Sequence, residues 1–178
     1  MIWTRFRRPS RRDTIAALYG MIVAQARSPA FYRDFGVSDT VNGRFDMVVL
    51  HLALVLHRLR SAESCPRDLA QGLFDAFCHD MDGNLREMGI SDLKVPKEMR
   101  RIGEAFYGRV AVYDAALAVP DDEALVLAIG RNIYGEEPAP PARRLAAYVR
   151  ATAGALAAQD PAAWGEAGPR FPDPGTIS

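Results

Sequence analysis

The chain has 178 residues, 49% hydrophobic and 25% charged, which suits one ordinary globular domain and excludes a disordered chain, a fibrous repeat and a disulfide scaffold. Its 22 basic and 22 acidic residues cancel, but unevenly. Residues 1–12 carry Arg5, Arg7, Arg8, Arg11 and Arg12 and no acid, so a basic arm precedes a body of 17 basic and 22 acidic groups.

Apolar spacing is helical nearly throughout, with no strand alternation of useful length. Behind the arm, a helix is predicted from Asp13 to about Arg27, with Asp13 as its N-cap and Ile15, Leu18, Ile22 and Ala26 on one stripe. Ser10-Arg11-Arg12, the apolar stretch and Ala24-Gln25-Ala26 superficially imitate a twin-arginine export signal. The amphipathic stripe and the Asp13 cap argue against export. Ser28-Pro29 starts a short helical turn to Asp34, and Gly36 ends it. Asn42-Gly43 is expected as a turn. A long helix follows, from about Arg44 to Arg60. Its apolar run Met47–Leu56 is half the roughly 20 residues of a membrane span and contains His51, so it is expected in the core.

Ser64-Cys65-Pro66 opens the next helix, which runs to Met88 with Gly89 as its stop. Asp92 to Pro96 is a loop, and Pro96 takes a first-turn position in a helix to about Ala118. Pro120-Asp121-Asp122-Glu123 sets acids at the positive end of another helix, ending near Gly135. Pro138 to Pro141 is a stiff linker and Pro141 to Gln159 a final helix. The tail from Asp160, with Pro161, Pro169, Pro172 and Pro174, is expected to be loosely ordered. These seven helical segments predict an all-α fold: one helical bundle over 13–159, between a basic arm at 1–12 and a Pro-rich tail at 160–178.

Chemistry-bearing residues are sparse. Cys65 and Cys78 read as free thiols in a reducing compartment, with no ligand set around them for zinc. Asp75, His79, Asp82 and Arg86 share one stripe of their helix. They form either a metal or acid/base site built from the first three, or a solvated face of helix-spaced charge pairs. His51 and His57 read as satisfied core or boundary histidines. No nucleophile elbow, dinucleotide fingerprint or phosphate loop occurs. In the helix from Pro96, the stripe Met99, Ile102, Phe106, Val110, Tyr113 and Leu117 is either core or a groove that receives an apolar helix, with Arg109 at its rim. Gly108, beside Phe106 and Tyr107, would let another backbone approach. The arm is a plain terminus, a ligand for RNA phosphates, or a binder of anionic lipid headgroups through its arginines with Trp3 and Phe6 inserted.

Ordered blocks carry a resemblance. They are Leu18-Tyr19-Gly20, Ile22 to Arg27, Pro29-Ala30-Phe31-Tyr32, Gly43-Arg44-Phe45-Asp46, Leu50-His51-Leu52, Asp80-Met81-Asp82, Leu85 to Gly89, Asp92, Val95-Pro96-Lys97, Ala105 to Arg109 and Tyr113-Asp114. Over about residues 13–120 the chain resembles the ubiquinol–cytochrome c chaperone family. Its short arm and Ala/Arg-rich composition suggest a bacterial member. The resemblance implies an all-helical, non-enzymatic assembly factor of the cytochrome bc1 complex, without cofactor. It implies newly made cytochrome b as client, a small partner subunit, and work at the ribosomal tunnel exit or the inner-membrane surface, with no DNA partner. A cytoplasmic location, peripheral to the inner membrane, goes with that reading. Client contact is assigned by inference to Phe106, Tyr107, Arg109, Tyr113, Asp80 and Arg86. Ribosome or membrane contact is assigned to Arg5, Arg7, Arg8, Arg11 and Arg12.

Overall fold

The computed structural model describes residues 10–62, 67–137, 139–165 and 167–177. Among them no strand forms, and seven helices follow in order: α1 Arg11–Ala26, α2 Pro29–Arg33, α3 Val41–Ser61, α4 Arg67–Glu87, α5 Val95–Leu117, α6 Glu123–Ile129 and α7 Ala142–Ala157. The fold is all-α and a single domain, as the periodicity predicts.

Helix α3 is the axis. Twelve of its residues are buried, including every one from Met47 to Leu56. A helix that is apolar on all sides must be covered on all sides. Here α1, α4, α5 and α7 all pack on it. No helix of the described residues is long and apolar enough to cross a membrane. His51 lies within this run and is fully buried. Its Nδ1–H donates to the Met47 carbonyl at 2.8 Å, and its Nε2 accepts from the Tyr148 hydroxyl at 3.0 Å. That hydroxyl in turn accepts from Gln25 Nε2 at 3.0 Å. Burial lowers the imidazole pKa to about 4, so the ring is neutral in the core.

Helix starts differ from the sequence expectation where caps compete. The N-cap of α1 is Ser10, not Asp13. Ser10 Oγ accepts from the Asp13 amide, and the Asp13 carboxylate accepts from the Ser10 amide at 3.1 Å. This reciprocal box satisfies two orphan donors where one cap satisfies a single donor. It draws Arg11 and Arg12 out of the expected arm and into the first turn of the helix. Asn42-Gly43, expected as a turn, lies in the first turn of α3. Thr40 caps it by accepting from the Gly43 amide at 3.1 Å. Gly43 is needed for room rather than for a turn: a Cβ there would stand 2.0 Å from the Ser38 carbonyl oxygen. Gly89, by contrast, is a true stop with φ +81, in the left-handed region glycine favours.

The predicted helix from Pro120 divides. After α6 the chain widens into a π-turn over Gly130–Tyr134, closed by Gly135 at φ +74. The tail lies against the body instead of trailing loosely. Pro161, Trp164 and Pro174 are buried, and two short 3-10 turns order it. Arginines satisfy carbonyls where the tail meets the bundle: Arg58 donates to Leu156 and Gln159, and Arg144 to Ile177. Proline-rich chain lacks its own amide ladder, so its order depends on such outside donors.

Candidate functional site

The N-terminal turns of α3, the C-terminal half of α4 and the N-terminal half of α5 do not close on one another. They leave a groove of about 730 Å³, and Arg27 stands at its edge. Phe45 and Val48 from α3, Met81 and Leu85 from α4 and Ile102 from α5 give it an apolar floor. Val41 and Met88, 68% and 55% exposed, form its lip. Exposed apolar side chains beside an apolar floor are costly in water unless something covers them.

Polar groups are built into this floor. Arg109 Nη2 lies 2.8 Å from Asp46 Oδ1, and the two side chains are 21% and 12% exposed. The guanidinium also sits over the Phe45 ring, 5.3 Å from its centroid. Burial pushes the Asp46 carboxyl up to about 6, against the pull of Arg109. Arg109 Nη1 and the Tyr113 hydroxyl are buried and have no hydrogen-bond partner among the described residues. On the α4 wall, Asp80 accepts from the Tyr19 hydroxyl at 2.8 Å and from Asn84 Nδ2 at 3.2 Å. Burial and that carboxylate together raise the Tyr19 pKa.

Of the residues singled out in the sequence, Arg109 and Asp80 line the groove. Phe106 and Tyr113 are each 1% exposed and belong to the core, where Phe106 packs on Phe74 and Phe77 with ring centroids 5.2 and 5.1 Å away. Tyr107 is 60% exposed but packs on Phe74, outside the lining of the groove. Arg86 is an exposed partner of Asp82 and Asp92. Arg11 pairs with Asp68 at 2.9 Å. Arg12 is exposed. Arg5, Arg7 and Arg8, like Trp3, Phe6 and Cys65, lie outside the described residues.

Asp75, His79 and Asp82 do not converge. Gln71 Nε2 donates to Asp75, and Arg86 beside Asp82 holds that carboxyl below the usual carboxylate range. Among the described residues no group of three His, Cys, Asp or Glu is placed to hold a metal ion. His57 Nδ1 lies 2.8 Å from Asp114, which also receives Arg60.

Asp46, Phe45, Arg27, Arg44, Met81, Asn84 and Met88 were not expected at the site. All but Asn84 lie in the family blocks: Arg27, Arg44 to Asp46, Asp80 and Met81, Leu85, Glu87 and Met88, and Ala105 and Arg109 are distant in sequence and line this groove together. The family described as Ubiquinol-cytochrome C chaperone matches residues 33–171. The chain belongs to this family. The match runs well past residue 120, so α6, the π-turn and α7 are family structure too. The chain is 26% identical over 125 residues to the ubiquinol-cytochrome-c reductase complex assembly factor 1 of Xenopus laevis, covering 69% of this chain and 62% of the relative. It therefore spans less than two thirds of that relative's length. It is also similar to the crystal structure of the Cbp3 homolog from Brucella abortus. The TM-score is 0.84 at 38% identity, over 93% of this chain and 92% of that one.

Proposed function

We propose that the protein is a non-enzymatic assembly chaperone of the ubiquinol–cytochrome c reductase (bc1) complex, and that its groove holds an apolar segment of newly made cytochrome b. The observation that carries this reading is the meeting of residues from distant family blocks at one apolar groove, with Val41 and Met88 exposed at its lip. A membrane helix in water exposes on the order of 20 apolar residues. A preformed apolar groove shields part of that surface until insertion. The half-buried Asp46–Arg109 pair ties α3 to α5 at the groove. The same reading places the protein in the cytoplasm, at the inner-membrane face, with residues 1–12 directing it to ribosome or lipid phosphates.

A photocrosslinking amino acid at Met88, on the lip, tests it, with Leu127 on α6 as control. Both positions are solvent-exposed, and Leu127 lies outside the groove lining. Newly made cytochrome b is expected to be captured from position 88 and not from 127. Equal capture from both, or none from 88, sinks the groove as the client site.

A further inference from the structure

Five carboxylates of the described residues are half-buried: Asp46, Asp80, Asp82, Glu98 and Asp114. Four have a cation within salt-bridge distance, namely Arg109, Arg86, Arg101 and Arg60 in that order. Asp80 alone has none among the described residues. Tyr19 and Asn84 hold it in place by donating hydrogen bonds, but neither neutralises its charge. A partly desolvated carboxylate without a counter-charge is costly to keep. It faces the groove.

Glu87 stands seven residues further along α4, two turns and about 10 Å away on the same side, and also lines the groove. It too has no cation within salt-bridge distance among the described residues. Met81 and Leu85 lie between the two acids. The α4 wall therefore offers anion, apolar surface and anion in line. Of the other cations on the groove, Arg44, Arg101 and Arg109 are already paired, to Asp39, Glu98 and Asp46, and Arg27 has no acid within salt-bridge distance among the described residues. Two unmatched acids, Asp80 and Glu87, against the one unmatched Arg27 leave the groove net negative, on a body with 17 basic and 22 acidic groups.

We propose that the groove selects, in its partner protein, an apolar helix bearing a lysine or arginine that pairs with Asp80, with a second basic residue two turns along meeting Glu87. This rests on the groove being a client site. It adds what distinguishes a client from any other apolar helix. Apolar burial gives little discrimination, whereas a missing counter-charge penalises every helix that lacks one.

Two fluorescein-labelled Leu/Ala amphipathic peptides of about 18 residues provide the test. One carries arginines two turns apart at the edge of its apolar stripe, the other glutamines in the same places. Binding to the full-length protein is read by fluorescence anisotropy. The arginine peptide is expected to bind about 10-fold tighter, the scale of one charge-assisted contact. The Asp80→Asn, Glu87→Gln double variant is expected to bind both peptides alike, at the wild-type affinity for the glutamine peptide. An arginine preference that survives in that variant, or its absence in wild type, overturns the proposal. The Val41→Gln, Met88→Gln lip variant separates the two levels, because both residues are exposed and the fold does not depend on them. Weaker binding of both peptides leaves the groove reading standing whatever the charge result. Unchanged binding of both, or no binding to wild type, overturns the groove reading and this proposal together.

Discussion

Two titratable groups, His51 in the core and the half-buried Asp46, should give this protein opposed pH dependences that a pair of substitutions can separate. His51 is fully buried, with its pKa lowered to about 4. In the unfolded chain it protonates near pH 6.5. Between those values the unfolded state holds the extra proton, so folding stability falls as pH falls. From pH 7 to pH 5 this amounts to about 2 kcal/mol. Asp46 behaves in the reverse sense. Its carboxyl is pushed up to about 6 in the fold, against about 4 unfolded. In that window the folded state holds the extra proton, so stability rises by about 1 kcal/mol over the same pH step. Wild type should therefore lose less than His51 alone dictates. Asp46→Asn should lose about 2 kcal/mol between pH 7 and pH 5, and His51→Gln should gain about 1 kcal/mol. Urea unfolding at the two pH values measures each difference, with the slope m checked for constancy. Groups common to the three proteins move all the curves together. Parallel pH dependences in wild type and both variants would refute the reasoning.

Other expectations follow from packing. Arg109→Met leaves the half-buried Asp46 without its cation and should destabilise by about 3 kcal/mol, most of it recovered when Asp46→Leu is added; urea midpoints that show no recovery would mean the two are uncoupled. Gly43→Ala must move the Ser38 carbonyl and should lower stability by about 2 kcal/mol, read as a fall in thermal midpoint. Phe106→Ala should cost about 4 kcal/mol, whereas Tyr107→Ala on the exposed side should cost under about 1 kcal/mol. Removing residues 160–178 takes away the buried Trp164 and the Ile177 carbonyl to which Arg144 donates, and should broaden or lower the unfolding transition.

Helix existence was legible because helical periodicity reports directly on which face is buried. The unbroken apolar run Met47–Leu56 announced a helix covered on every side, and α3 is that helix. Boundaries were less legible. Asp13 is a good cap in isolation, but Ser10 three residues earlier forms the reciprocal box. Asn42-Gly43 has turn composition, yet its glycine answers to a carbonyl five residues back. The tail defied its composition because partners outside it hold it: Arg144 donates to Ile177, and Gln159, itself held by Arg58, bonds Arg170. The site was half legible for the same reason. Periodicity placed Phe106, Val110 and Tyr113 on one face but could not say whether that face met protein or solvent. Asp46 and Arg109, 63 residues apart, are joined only by the packing of α3 on α5. Asp80 was found through its sequence block, and its lack of a cation becomes visible only once every neighbour is in place.

The enclosure of α3 also has a consequence in time. Synthesis runs from the N-terminus, and the residues that shut α3 in arrive late: Tyr148, which binds His51, is made 97 residues after it. At roughly 5–20 residues per second the interval is roughly 5–20 s. Throughout it, one flank of the strongly apolar Met47–Leu56 segment has only α1 and whatever part of α4 and α5 has emerged to cover it. During its own birth this chain passes through a stage with the hazard that an uninserted membrane helix presents. Truncations that stop before α7 are therefore expected to aggregate, and shortened products of this kind should be cleared by proteolysis instead of accumulating.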